Sequence, residues 1–265
     1  MTISKFESLL RNENYAENTI AAYAYALKEF RKRYHEVTRS NVLLYKAYLI
    51  GKYKPSTANL RIQGINKYLD LSGKGHFKLK SLKVQEPAFL NNVISNEDYA
   101  FFKNRLREDG RLKCYFAVWF MAATGARISE LVQLKAEHIW VGYFDVLSKG
   151  GKCRRLYIPW PLQKELLEWA GKRSGYLFLN RSGGRISIRG ISLLIKRYAI
   201  EYGLNPNTVH PHAFRHLYAK NFLDRHNDLA LLADLLGHES IATTRIYLRK
   251  STLEQRNLIN QIVDW

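Results

Sequence analysis

The sequence predicts a mainly α-helical protein with one small antiparallel β-sheet, an α+β chain in two domains. Apolar residues recur at helical spacing along most of its length. One mid-chain stretch is instead rich in aromatic and β-branched residues and is broken by glycines, as a hairpin requires. An aperiodic stretch with glycines, lysines and Pro87 separates an N-terminal helical block from the remainder. With 265 residues, 46% apolar and 13% aromatic, the chain buries one large core or two unequal ones.

The N-terminal block reads as four helices, over 4–11, 16–34, 40–52 and 56–71. In the second, Ile20, Tyr23, Ala24, Leu27 and Phe30 share one face, and Asn14 or Asn18 is available to cap its start. Residues 72–95 read as a linker region with the boundary near Lys83, which gives a helical domain at 1–83, a linker at 84–95 and a second domain at 96–265. There, helices are expected over 96–108 and 112–123, the latter ended by Thr124 and Gly125 because glycine readily takes the left-handed helix-end conformation. Another helix starts near Ile128. Residues 139–158 carry β-rich text, broken by Ser148-Lys149-Gly150-Gly151-Lys152 as a hairpin turn. Helices follow over 161–171, 188–202, 212–225, 228–236, 241–247 and 252–263; no fixed-period repeat or low-complexity tract is visible.

Charge points to the class of partner. The chain has 42 Lys+Arg against 23 Asp+Glu, a net charge of +19, and both parts share it: +9 over residues 1–90 and +10 over the rest. A polyanion gripped along much of the protein fits that distribution, as would a basic ribosome-associated protein. The first twenty residues lack the apolar region of a signal peptide, and the longest apolar run, 115–123, is too short to span a bilayer. Cys114 and Cys153 form no CxxC pair, so neither a disulfide framework nor a cysteine metal site is suggested. A soluble protein of the reducing cytoplasm, with no membrane partner, is expected.

Three short segments carry candidate chemistry. Thr124-Gly125-Ala126-Arg127-Ile128-Ser129-Glu130-Leu131 puts an arginine at a helix entry, where backbone N–H groups also favour an anion. In Pro211-His212-Ala213-Phe214-Arg215-His216, His212 and Arg215 are three apart and share a helix face. Leu236-Gly237-His238-Glu239-Ser240 places a histidine after a helix-ending glycine. Taken singly, each also suits an exposed arginine, a solvated helix face or a structural histidine.

Taken together, TGARISEL, HAFRH and LLGHESIATTRIY closely resemble, in order and spacing, the signature of the tyrosine recombinase/phage integrase family, which includes the Xer-type resolvases. The resemblance covers the second domain. It implies that Arg127, His212, Arg215, His238 and Tyr247 are the family's arginine, its His-x-x-Arg pair, its second histidine and its nucleophile, Tyr247 lying nine residues past His238. The family's catalytic lysine sits at a β-hairpin turn, which points to Lys149, with Lys152 as runner-up. Of the 17 tyrosines, Tyr198 and Tyr218 are the plausible decoys. Phe214 stands where leucine is common in the family, and Lys220 where a smaller polar residue is frequent.

The residue types suit metal-free cleavage of a DNA phosphodiester. A phenol, with a pKa near ~10, is a poor nucleophile at neutral pH and needs a base such as His212 or adjacent cations. Guanidinium forks at Arg127 and Arg215 match the charge and shape of the non-bridging oxygens in the transition state. The resemblance implies that Lys149 protonates the departing 5′ oxygen, that His238 hydrogen-bonds the phosphate and that a 3′-phosphotyrosine results. An incoming 5′-hydroxyl can then rejoin DNA without ATP. No cofactor and no metal are expected, since no acidic cluster of the two-metal type is visible.

The helical first domain resembles, in architecture, the family's core-binding (SAM-like) domain, which with the catalytic domain would form a C-shaped clamp on duplex DNA. Lys54 and Arg61, with Arg189 and Lys196 on the catalytic side, are DNA-contact candidates, against the alternative of solvated helix faces. The apolar C-terminal segment, with Leu253, Leu258, Ile259, Ile262, Val263 and Trp265, wants a groove, in its own domain or on a neighbour. The resemblance implies a homotetramer on two duplexes, with an accessory DNA-bending or regulatory protein as a further partner. No arm-binding domain is expected ahead of the helical bundle, which favours a compact Xer-like or invertase-like enzyme. The competing classes are a type IB topoisomerase-like relaxing enzyme and a catalytically silent DNA-binding protein.

Overall fold

The computed structural model describes residues 1–84, 93–147, 153–237, 244–248, 256 and 259–263. They fall into two compact units, Met1–Glu86 and Pro87–Trp265. Among the described residues the chain is mainly helical, with one two-stranded antiparallel sheet.

The first unit holds helices α1 (Ile3–Asn12), α2 (Glu17–Arg33), α3 (Arg39–Lys52) and α4 (Pro55–Leu71). The Thr2 hydroxyl caps α1 and the Thr38 hydroxyl caps α3 by accepting backbone N–H bonds, while α4 begins with Pro55, whose missing donor costs nothing there. The expected asparagine cap of α2 is not used. Ala16 takes the cap position without a side-chain bond, Asn14 turns the chain at φ +59°, and Asn18 lies inside the helix. Helices α2 and α4 meet closely at Gly64, where a Cβ would stand 3.0 Å from the Tyr23 Cα. Ala26, Phe30, Val42, Tyr45, Leu49, Ala58, Ile62 and Ile65 fill the space between α2, α3 and α4.

That core encloses one acid. Glu29, buried on α2, accepts hydrogen bonds from the hydroxyls of Tyr45 (3.2 Å), Tyr48 (3.0 Å) and Tyr53 (2.7 Å) and from the Lys52 ammonium (3.3 Å). Burial alone would raise its pKa, but the bonds from Tyr53, Tyr48, Lys52 and Tyr45 outweigh that and hold the carboxyl below its ordinary value. A carboxylate depressed in the folded state stabilises above its unfolded pKa, and the benefit disappears as pH falls through the folded one. Glu29→Leu is expected to strand these donors and lower the unfolding free energy by about 2 kcal/mol, and to flatten the acid limb of stability against pH, both read from urea denaturation.

The second unit is arranged around α6 (Leu112–Thr124), the apolar run seen in the sequence. Cys114, Tyr115, Phe116, Ala117, Val118, Phe120 and Met121 are all buried, so this helix is apolar on nearly every face and is wrapped by its neighbours. Around it pack α5 (Asn96–Glu108), α9 (Trp160–Ala170), α10 (Ile188–Glu201) and α11 (Pro211–His226). Phe214 of α11 stacks on Phe102 of α5 with ring planes 2° apart. Short helices α7 (Ile128–Leu131) and α8 (Ala136–Val141) follow α6, and α12 (Leu229–Leu236) follows α11. A 3-10 turn at Arg245–Leu248 packs on α11.

Strands β1 (Tyr143–Leu147) and β2 (Cys153–Tyr157) pair antiparallel from Tyr143 opposite Tyr157 to Leu147 opposite Cys153. The turn expected at 148–152 lies outside the described residues. The β-rich reading of 139–158 began too early: Ile139, Trp140 and Val141 finish α8, which Gly142 terminates at φ +80°. Aromatic and β-branched content alone did not separate a short buried helix from a strand. In β2, Arg154 and Leu156 point inward, while Cys153 and Arg155 are exposed. Cys153 and Cys114 are free thiols, and burial pushes the Cys114 thiol up. No described helix is long and apolar enough to cross a membrane. Ile259, Ile262 and Val263 of the apolar C-terminal segment are exposed.

Candidate active site

The end of α12 organises the site. The last four carbonyls of a helix lack intrahelical donors and carry the negative end of its dipole. Here the Gly237 N–H, set by φ +62°, serves those of Ala233 and Asp234. The next two accept guanidinium groups, Leu235 from Arg154 Nη1 and Leu236 from Arg215 Nη2 at 2.7 Å. The Gly237 carbonyl faces Arg127 Nη2 at 3.5 Å. Arginines from β2, α11 and the entry of α7 thus converge on one helix terminus.

Arg215 is 4% exposed and spans two helix ends, because its Nη1 also donates to the Gly125 carbonyl at 2.6 Å. Gly125 closes α6 at φ +65°, as its position in the sequence suggested. A Cβ there would meet Tyr218 Cδ1 at 2.6 Å and Leu236 Cδ2 at 2.8 Å. Burial first, and then the neighbouring Arg127 charge, push the Arg215 pKa down to about 10, so the group stays protonated at neutral pH. The Arg127 side chain is more open, at 36% exposure.

Among the described residues, one carboxylate balances these cations. Glu130 Oε2 accepts the Arg127 backbone N–H (2.7 Å) and Arg154 Nη2 (2.5 Å), and Oε1 accepts Arg127 Nη1 (3.0 Å). Burial would raise the Glu130 pKa, but Arg154 and then Arg127 hold it below its ordinary value. His212, in the first turn of α11, feels Arg215 and Arg127; partial burial first, then those two charges, lower its pKa beneath the ordinary 6.5. At neutral pH its imidazole is therefore unprotonated and able to accept a proton.

Tyr247, in the 3-10 turn, is 7% exposed and packs with Ala219, Leu223, Leu232 and Leu236 of α11 and α12. Its ring centroid lies 5.1 Å from that of His216, and its phenol is near enough for a charge on it to favour protonated Arg215. Arg127, His212, Arg215 and Tyr247, distant in sequence, are thus brought to one place. Tyr218 sits against Gly125, and Tyr198 is buried on α10. Lys149, Lys152 and His238 lie outside the described residues.

Of the DNA-contact candidates, Lys54 is exposed at the start of α4, and Arg189 and Lys196 are exposed on α10. Arg61 is turned inward: its Nη1 donates to the Ala22 carbonyl at 3.1 Å and its guanidinium covers the Tyr25 ring at 4.2 Å. Among the described residues no group of three or more His, Cys, Asp or Glu stands close enough to hold a metal ion. Sequence reasoning passed over Arg154 and Glu130. A signal existed for Arg154, which shares the inward register of β2 with Leu156 and Ile158, a place where an apolar residue is expected.

Fold and site define a helical protein that brings an unprotonated imidazole, guanidinium groups and a phenol together. A model of the phage integrase family matches residues 96–254, and the chain belongs to that family. It is 29% identical to the tyrosine recombinase XerA of Pyrococcus furiosus over 277 residues, covering 98% of this chain and 96% of that one. It is 30% identical to the tyrosine recombinase XerC of Roseiflexus castenholzii, covering 91% and 87%. The Tn1549 transposon integrase, solved in complex with circular intermediate DNA, shares the fold with a TM-score of 0.74 at 17% identity, covering 99% and 100% of the two chains.

Gly125→Ala is expected to lower the unfolding free energy by about 2 kcal/mol or more, from left-handed backbone strain and collision with Tyr218 and Leu236. Thermal unfolding measures it.

Proposed function

We propose that this chain is a site-specific tyrosine recombinase that cleaves and rejoins duplex DNA through a 3′-phosphotyrosine formed on Tyr247. The observation that carries the reading is the meeting of Arg127, His212, Arg215 and Tyr247 at the end of α12. The Tyr247 oxygen attacks phosphorus as His212 accepts the phenolic proton. Arg127 and Arg215 bind the non-bridging oxygens, whose negative charge grows in the transition state. The 5′ oxygen departs with a proton from Lys149, and His238 hydrogen-bonds the phosphate. The phosphotyrosine ester conserves the bond, so a 5′-hydroxyl of a partner strand reverses the step and completes exchange.

In this reading the first unit is the core-binding domain and the second the catalytic domain. Lys54, Arg189 and Lys196 contact DNA phosphates, a role the inward turn of Arg61 suits less well. Four copies act on two duplexes in the cytoplasm, with an accessory DNA-bending or regulatory protein, and the C-terminal segment docks on a neighbouring copy. The exposure of Ile259, Ile262 and Val263 supports that docking.

A pool of nicked duplexes with randomised half-sites tests the chemistry and selects the target sequence in one step. Wild type is expected to capture DNA as a denaturant-resistant adduct, and Tyr247→Phe to capture none; an adduct persisting in that variant would move the nucleophile elsewhere. Arg215→Ala should slow capture about a hundredfold or more. Captured sequences placed on two duplexes should then recombine, whereas relaxation of a single supercoiled duplex without exchange would favour the topoisomerase reading.

The pH profile tests the base. Because the folded protein lowers the His212 pKa, the acid limb of the single-turnover cleavage rate should lie below pH 6.5, with a plateau above it. His212→Gln should abolish that limb.

A further inference from the structure

Arg154 has no part in the chemistry described so far, yet it makes the most enclosed ionic contact of the site. Its side chain is 6% exposed and that of its partner Glu130 is 8% exposed. Nη2 meets Glu130 Oε2 at 2.5 Å, Nη1 donates to the Leu235 carbonyl, and Nε is buried with no hydrogen-bond partner among the described residues. Its stem lies where a Gly237 Cβ would stand, so the glycine leaves room for the arginine as well as ending α12.

Stability alone is a poor account of this arrangement. Burying a charged pair costs desolvation that its mutual attraction often fails to exceed, and an apolar residue at 154 would continue the face made by Leu156 and Ile158. What a planar guanidinium does, and an aliphatic side chain does not, is fork between a carboxylate on one element and a helix-end carbonyl on another. The carboxylate it engages is the one that also holds Arg127, by backbone and by side chain.

Resting on the recombinase reading, we infer that Arg154 is a positioning residue for the reaction: by sharing the charge of Glu130, it leaves the Arg127 guanidinium free to serve the scissile phosphate. With Arg154 present, one carboxylate faces two guanidinium groups, and the excess positive charge is available at the more exposed of them, Arg127. Without it, Glu130 has Arg127 as its remaining ionic partner among the described residues and competes with the phosphate for the same cation. The Leu235 bond pins the arrangement to the end of α12, two residues before the Gly237 carbonyl that Arg127 faces.

The experiment compares single-turnover cleavage of a duplex captured by the wild-type protein across Arg154→Met, Arg154→Lys, Arg127→Ala and the combinations with Arg127→Ala. DNA affinity and thermal unfolding report on folding, and Arg154→Lys, which keeps the charge but loses the fork, carries the measurement should Arg154→Met not fold. Expected are a loss of about tenfold or more for Met, a smaller loss for Lys, and no further loss beyond about threefold for either once Arg127 is alanine. The inference is overturned if the folded Arg154 variant cleaves at the wild-type rate, or if its defect multiplies with that of Arg127→Ala, the mark of a general structural role. A wild-type protein that forms no adduct at all overturns the recombinase reading itself, a distinguishable result.

Discussion

Helix α12 is eight residues long and ends inside the protein, where its terminal carbonyls need donors. A glycine N–H and guanidinium groups from three distant segments meet that demand. Gly125 must present its carbonyl to Arg215, Glu130 must balance the cations, and Gly237 must lack a Cβ to admit Arg154. Placement of α6, α7, α11 and β2 around the α12 terminus follows from these demands. The cluster of arginines is assembled by the interactions that close a helix.

The electrostatics are graded across that cluster. Arg215 is enclosed and held by two carbonyls, so it forms a fixed wall, whereas Arg127 reaches solvent. Partial burial and positive neighbours keep His212 unprotonated, which suits a proton acceptor but would spoil a donor. A protein that gathers cations around one point must supply a counter-charge to remain folded in the absence of its ligand. Glu130 does so from beneath, bonded to the Arg127 backbone as well as to its side chain, and the outer face stays positive.

Much of this was legible in the amino-acid order because local rules governed it. The periodic apolar faces and the glycine ends of α6 and α12 each follow from conformational preferences within a few residues. The shared face of His212 and Arg215 was legible for the same reason, and the wider cluster through a family signature. Residues 139–141 misled because aromatic and β-branched side chains suit a buried helical turn as well as a strand. Arg61 misled because cationic character says nothing about whether a guanidinium faces solvent or the Tyr25 ring. Arg154 escaped notice for a further reason: its partners lie 24 and 81 positions away, and only the folded chain brings them together.

The two cysteines have a practical consequence. Cys114 is sealed within α6 and its thiolate is disfavoured, whereas Cys153 is exposed at the start of β2, adjacent to Arg154. A maleimide dye or spin label would attach at one sulfur in the folded protein. The natural sequence therefore already provides a spectroscopic handle beside the arginine cluster, at the first residue of β2.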